Sequence, residues 1–248
     1  MKLTFLGTGH GIGTEERACS SALLETNGTL YLIDGGVDLG VRIRAAGYLP
    51  EAVRAVFTTH AHSDHIGGLY QFIDLFNWAR AFKEREIDIF FTEIGVARTM
   101  ENLVSLTTKQ LDTKRIRLRT AGEGLVYSDE NIKVTYFPTK HLAPLGRPSF
   151  GILIECEGKR LYFSGDLSQE LSGNDFPVLP TVLPIDLLVL ELAHFGIDHI
   201  KPHLSGVLTK KLAFNHVSPI AKYEELEALK GRYRYEILTP KDLESVVI

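Results

Sequence analysis

The chain has 248 residues, 44% of them hydrophobic and 23% charged, with a formal net charge of −4 at pH 7. That length fits one larger domain or two small ones with apolar mass for a sizeable core. No run approaches the ~18 apolar residues of a membrane-spanning helix, and the charge disfavours a broad nucleic-acid or membrane surface.

The opening "MKLTFLGTGHGIG" alternates like a strand and turns on glycine, without the apolar stretch of a signal peptide. "KLTFLG" and "SALLET" precede an Asn27-Gly28 turn and "LYLIDGG", so the chain starts as antiparallel sheet. A helix is expected from Val37 to Ala46, stopping near Gly47 and Pro50. "VRAVFTT" reads as a buried strand, followed by helical spacing in "IGGLYQFIDLFNWARAFK". "IDIFF" and "EIGVARTMENLVSL" continue the alternation of strand and helix. "KRIRLRT" places Arg115, Arg117 and Arg119 on one face of a strand, read first as a solvated sheet edge and second as an anion contact.

The second half repeats this grammar. "GLVYS", "IKVTYFPTKH", "SFGILIECEGKRLYFSGD", "IDLLVLEL" and "KLAFNH" are strands, and "AKYEELEALK" is a helix. Strands early and helices late in each half point to two packed sheets with helices outside, a four-layer αββα sandwich of the α/β class. No linker, charge block or low-complexity tract divides it, so one domain over residues 1–248 is expected. Only Cys19 and Cys156 are present, too few for a disulfide framework, and a cytoplasmic setting follows as the default.

Chemistry concentrates in "VFTTHAHSDHIGGL", residues 56–69, where His60, His62, Asp64 and His65 fall within six positions. With nine histidines in the chain, a His-x-His-x-Asp-His match is expected ~0.0006 times from composition. Coincidence is therefore rejected. His60 follows "AVFTT", His141 follows "VTYFPTK", Asp166 follows "LYFSG" and His216 follows "LAFN". Each is expected just past a strand end, where a rigid sheet can deliver polar groups to one edge. Imidazole and carboxylate suit zinc, and a cysteine-free set does not suit a closed structural site. Seven ligands suffice for two ions with Asp166 between them. Such a pair would acidify a bridging water to hydroxide.

"FLGTG", "YLIDGG", "THAHSDHIGGL", His141, "YFSGD" and "FNHVSP" together resemble the metallo-β-lactamase superfamily in order and spacing, across essentially the whole chain. The resemblance implies a dinuclear site at one edge of an αββα sandwich. One ion would take His60, His62 and His141, the other Asp64, His65 and His216, with Asp166 bridging. The opening "GTGHGIGTEERACSSALLE", "PSFGILIE" and "FNHVSPI" are similar to the ribonuclease Z-like branch, which holds tRNA 3′-end endonucleases and small phosphodiesterases. Those endonucleases extend "DGG" with Gly-Glu-Gly-Thr-Gln, where this chain has "DGGVDLG", and carry a flexible Gly/Pro-rich tRNA-gripping arm without a counterpart here, since residues 79–112 read as compact helix and strand. Asp166 departs from true β-lactamases, which use cysteine there, and His62 departs from redox di-iron relatives, which use glutamate.

The reading is a hydrolase whose two Zn2+ ions (Mn2+ and Fe are compatible) direct hydroxide at a small phosphodiester or an RNA end. Asp64 would orient or deprotonate the water. The leaving oxygen needs a proton, and "ELAHFGIDHIKPHLSG" offers His194, His199 and His203, with His203 or His194 preferred. His10 is expected to be a packing histidine. A lactone or thioester hydrolase with the same metals, or a non-catalytic metal-binding module, are the alternatives. No membrane partner is expected, and a homodimer is left open.

Overall fold

In both halves of the chain the central strands carry apolar residues on both faces, as strands covered on two sides must. The computed structural model describes residues 1–248. The first half contributes β1 (Lys2–Gly7), β2 (Ser21–Thr26), β3 (Thr29–Ile33), β4 (Val53–Phe57), β5 (Ile87–Phe91) and β6 (Ile116–Thr120). The second contributes β7 (Gly124–Ser128), β8 (Ile132–Pro138), β9 (Phe150–Cys156), β10 (Lys159–Phe163), β11 (Ile185–Leu192), β12 (Thr209–Val217), β13 (Glu236–Leu238) and β14 (Ser245–Val247). They form two seven-stranded sheets in the orders β14-β1-β2-β3-β4-β5-β6 and β13-β12-β11-β10-β9-β8-β7.

Each sheet is antiparallel through its hairpin and then turns parallel. The first hairpin, β2 to β3, turns at Asn27 and Gly28, both with positive φ. Its counterpart joins β9 to β10 at Glu157 and Gly158, again with positive φ. From β3 to β6 and from β10 to β13 the strands are parallel. Parallel neighbours need crossovers, and the helices supply several of them.

Tyr31 and Ile33 point between the sheets with Phe5, Phe57, Ile152 and Phe163, while Leu30 and Leu32 point outward. Over the first sheet lie α1 (Leu39–Ala45), α2 (Ser63–Ile66), α3 (Leu69–Trp78) and α4 (Ile94–Thr107). Helix α1 is capped by Asp38, whose carboxylate accepts the Val41 N–H, two residues inside the expected start. Helix α3 buries Leu69, Phe72, Ile73 and Phe76, the apolar stripe that its spacing predicts. Over the second sheet lie α5 (Leu179–Val182), α6 (Ile197–Leu204) and α7 (Lys222–Glu227), with Ile197, Ile200, Leu204 and Leu226 buried. The result is the αββα sandwich. No helix is long and apolar enough to cross a membrane.

Candidate metal centre

Polar side chains gather at one edge of the sandwich, and the first sheet delivers four of them in one loop. His60 follows β4, His62 caps α2, and Asp64 and His65 lie within α2. Two glycine pairs make the loop possible. Gly35 N–H donates to the His65 carbonyl, and Gly68 N–H donates to the Gly35 carbonyl. A Cβ on Gly36 would sit 1.8 Å from the Asp64 carbonyl oxygen, and one on Gly68 would sit 1.6 Å from that of Val37. "DGG" and "IGG" are thus two strips of backbone pressed together where no side chain fits.

The second sheet supplies the rest one at a time. His141 follows β8 and Asp166 follows β10, as expected. His216 differs: it lies inside β12, not past its end. Glu191 pairs with Asn215 and Leu192 with Val217, so His216 is an extra residue in the ladder, with φ of 53°. A bulge of this kind re-aims a side chain, and here it turns the ring to the site.

The ligand atoms of His60, His62, His141 and Asp166 all lie within 4.8 Å of one another, as do those of Asp64, His65 and His216. Asp166 stands between the groups. Its Oδ2 is 3.6 Å from His60 Nε2, 3.8 Å from His141 Nε2 and 3.3 Å from His216 Nε2, and its Oδ1 is 3.4 Å from His65 Nε2. Asp64 Oδ2 is 3.7 Å from His65 Nε2 and 3.8 Å from His216 Nε2.

The hydrogen-bond network fixes which ring nitrogen faces the centre. Thr59 Oγ1 donates to the Asp34 carboxylate at 2.9 Å, so it accepts from His60 Nδ1 at 3.1 Å. His65 Nδ1 donates to Asp34 Oδ2 at 2.8 Å. His141 Nδ1 donates to the Leu167 carbonyl at 3.2 Å. Ser20 Oγ gives its proton to the Gly9 carbonyl and so accepts from His216 Nδ1 at 2.8 Å. In each case Nδ1 carries the proton and Nε2 turns a lone pair inward. His62 is the exception, presenting Nδ1 at 3.2 Å from His141 Nε2.

A divalent metal would account for these atoms. His60 Nε2 and His65 Nε2 are buried and have no hydrogen-bond partner. Buried polar atoms without partners are rare and need an explanation. Two ligand atoms on one tetrahedral ion, each about 2.0–2.1 Å from it, are about 3.4 Å apart. The spacings here cluster around that value. Burial holds His60 well below the ordinary histidine range, and His62 and His141 below it, so these rings stay neutral, whereas at His65 burial is outweighed by Asp166 and Asp34, which hold it well above that range, so a metal there would displace a proton. Burial would raise Asp166, but His216, His65 and His60 outweigh it and keep the carboxylate ionised. The donor set fits.

Several residues of the site were not singled out from sequence. Asp34, with φ of 57°, orients His65 and also accepts the Thr59 N–H at 2.7 Å. Glu191 is 3% exposed and accepts from Leu167 N–H, Ala193 N–H and His194 Nδ1, at 2.8, 2.7 and 2.9 Å. Thr59 and Ser20 complete the set. A signal existed for two of them: Asp34 sits in "YLIDGG", and Glu191 is a charge that follows four apolar residues in the strand "IDLLVLEL".

The three histidines after β11 separate. His194 reaches the centre, with Nε2 3.8 Å from Asp166 Oδ2. Burial would lower its pKa, but the Glu191 hydrogen bond and the nearby charges raise it. His203 stacks on Phe176 at 4.4 Å on α6 and is not among the converging groups. His199 uses its Nδ1 to accept the Gly196 N–H at the start of α6. His10, next to the site, accepts the Ile12 N–H through Nδ1.

The arginines of "KRIRLRT" do not form an open anion-binding face. Arg115 precedes β6 and donates to Asp112 and to the Phe76, Phe82 and Arg85 carbonyls. Arg117 and Arg119 both donate to Asp88 on the neighbouring strand. The edge reading holds: Asp88 engages Arg117 through two nitrogens and Arg119 through Nε, with the rest of the Arg119 side chain half-exposed.

Residues 1–175 match the family described as anti-Pycsar protein Apyc1. Ribonuclease Z of Methanocaldococcus jannaschii is 29% identical over 160 residues, which cover 62% of this chain and 47% of that protein. Anti-Pycsar protein Apyc1 of Bacillus phage 010DV004 is 29% identical over 184 residues, covering 68% of this chain and 70% of the phage protein. The chain thus spans about half the length of the archaeal ribonuclease Z. The crystal structure of human tRNase Z, short form, superposes with a TM-score of 0.76 at 19% identity, covering 100% of this chain and 99% of that one. At that identity the likeness is one of fold.

Proposed function

Because the chain belongs to the anti-Pycsar protein Apyc1 family, in the ribonuclease Z-like branch of the metallo-β-lactamase superfamily, we propose that it is a metal-dependent phosphodiester hydrolase. His60, His62 and His141 would hold one ion, Asp64, His65 and His216 a second, and Asp166 would bridge them. A histidine- and carboxylate-rich set suits zinc, and Mn2+ or Fe are compatible with it. Divalent ions bound there would lower the pKa of water toward ~7 and offset charge developing on a phosphoryl group.

The chain's own groups do the remaining work. Asp64, its side chain 13% exposed beside the cluster, accepts a proton from the attacking water or holds its orientation. His194 delivers a proton to the departing oxygen through Nε2, while Glu191 accepts from Nδ1 and so fixes the ring's direction. His203 is set aside for this role because its ring lies on Phe176. Nothing in the site resembles a serine or cysteine nucleophile: Cys19 and Cys156 are free, and burial raises both thiols.

A small phosphodiester or a short RNA end is favoured as substrate over a whole folded RNA. The net charge is −4, and the arginines of β6 are engaged internally. A grip on many phosphates needs many free cations.

The observation that carries the proposal is the pair of buried, partnerless ring nitrogens, His60 Nε2 and His65 Nε2, on either side of Asp166. The test is elemental analysis of protein purified without chelator, followed by a hydrolysis screen of phosphodiesters, RNA, lactones and thioesters. Two ions per chain with phosphodiester cleavage is the expected result. At most one tight ion sinks the dinuclear reading. Lactone or thioester turnover without phosphodiester cleavage reassigns the substrate, and no turnover by the fully loaded protein leaves a binding module.

A further inference from the structure

The segment "FNHVSPIAK" delivers His216 to the centre and, six residues later, Lys222 to the first position of α7. A lysine is wrong-signed there, because a helix N-terminus favours anions, as Glu224 and Glu225 in the same turn illustrate. Helix electrostatics does not account for Lys222. Its ammonium turns back and donates to the carbonyls of Leu192 at 2.8 Å, Ala193 at 3.4 Å and Phe195 at 2.7 Å. Three donors meet three acceptors, and they bracket His194.

The loop's other backbone groups are pinned as well. The His194 carbonyl accepts the Glu170 N–H at 3.1 Å, and Glu191 Oε2 accepts the N–H groups of Ala193 and His194. The carbonyls of Ala193 and Phe195 have no such backbone donor, and Lys222 alone reaches both. Half-buried peptide groups that lose their partner must turn to water, and the segment carrying them moves.

We infer that Lys222 is a positioning residue: its ammonium clamps the 192–195 backbone so that His194 Nε2 faces the departing oxygen. The inference rests on the reading of His194 as proton donor. It also gives a structural reason for one segment to carry both a metal ligand and a lysine at this spacing.

The test uses Lys222→Met, which keeps the apolar stem and removes all three donors, with Lys222→Arg as the conservative change. Metal-loaded variants are assayed on bis(p-nitrophenyl) phosphate, whose leaving group needs no proton, and on the dinucleotide UpU, whose leaving alkoxide does. Amide exchange at residues 193–196 is followed in metal-free protein. Lys222→Met is expected to slow UpU cleavage by about tenfold, less than the ~10²-fold or more that a general acid itself contributes, and nitrophenyl cleavage by less than about twofold. Exchange at 193–196 should accelerate, Lys222→Arg should fall between, and Lys222→Met should add nothing in a His194→Ala background. Equal loss on both substrates, or additive loss in the double variant, overturns the inference. If His194→Ala selectively slows UpU and Lys222→Met does not, this inference alone fails. If His194→Ala leaves UpU cleavage intact, the proton-donor reading fails and takes this one with it.

Discussion

The two halves of the chain build sheets of the same plan, yet they furnish the centre in opposite ways. The first half delivers His60, His62, Asp64 and His65 from one loop, wired by its own neighbours Thr59 and Asp34 and by the Gly35–Gly68 backbone contact. The second half delivers His141, Asp166 and His216 from three separate strands, and the Nδ1 of His216 leans on Ser20 of the first half. One side of the site is a local motif. The other is a product of assembly, so it is also where the chemistry beyond metal binding, Glu191 with His194, is added. Four predictions probe that division.

The largest effect is expected at the seam. Asp166 touches both groups of ligands, and its removal leaves His60, His65 and His216 facing one another without the carboxylate. Asp166→Ala should reduce bound metal from two ions to one or fewer and lower turnover by about 10³-fold or more. Metal content after gel filtration and steady-state rates check this. Retention of two ions would show that the halves do not depend on the bridge.

Next in size is the assembled side's contribution to proton delivery. His194→Ala should slow substrates with alkoxide leaving groups by about 10²-fold and leave nitrophenyl esters within about threefold. His203→Ala should alter neither beyond about twofold. The reverse pattern would return the role to His203 and would require α6 to move.

The local motif should respond differently, through metal affinity rather than leaving-group dependence. Asp34→Asn keeps the volume but weakens the acceptor for His65 Nδ1 and Thr59. Changes to such partners typically cost about 10–100-fold in metal affinity. Competition with a chromogenic chelator measures it. Unchanged affinity would mean that the histidine loop is held by its backbone alone.

The same division explains what was legible in the sequence. His60, His62, Asp64 and His65 are readable because their geometry is written within six residues. His141, Asp166 and His216 were located by the strands before them, but the bulge that turns His216 depends on β11 and β12 falling out of step by one residue. No local pattern announces that. Asp34, Glu191, Ser20 and Thr59 act through partners up to 196 positions away, so their roles exist only after folding. The histidine-rich stretch 194–203 shows the limit from the other side. Read as loop, it offered three histidines, with His203 or His194 preferred and nothing to choose between those two. As α6 with a short approach, it sends His194 inward and lays His203 on Phe176. The sheet plan was legible throughout because it rests on alternation and on turn residues such as Asn27-Gly28.

The smallest expected effect lies far from the centre, at the edge strand β6. Burial would raise the Asp88 pKa, but the hydrogen bonds of Arg117 and Arg119 outweigh it and hold the carboxyl below its ordinary value. A group depressed on folding contributes stability that is present above its unfolded pKa of about 3.9 and is lost as pH falls through the lower folded value. Asp88→Asn should therefore lower the melting temperature modestly at pH 7 and narrow its gap from the parent protein below pH ~4. The same change releases Arg119 from its acid and leaves Arg117 with Glu86 alone, so binding of a short RNA should strengthen and its salt dependence steepen by about one phosphate contact. Melting curves at both pH values and a salt titration of RNA binding read the two consequences separately. If RNA affinity stays flat while stability falls, the β6 arginines serve the sheet alone, and substrate recognition is confined to the edge where the two halves meet.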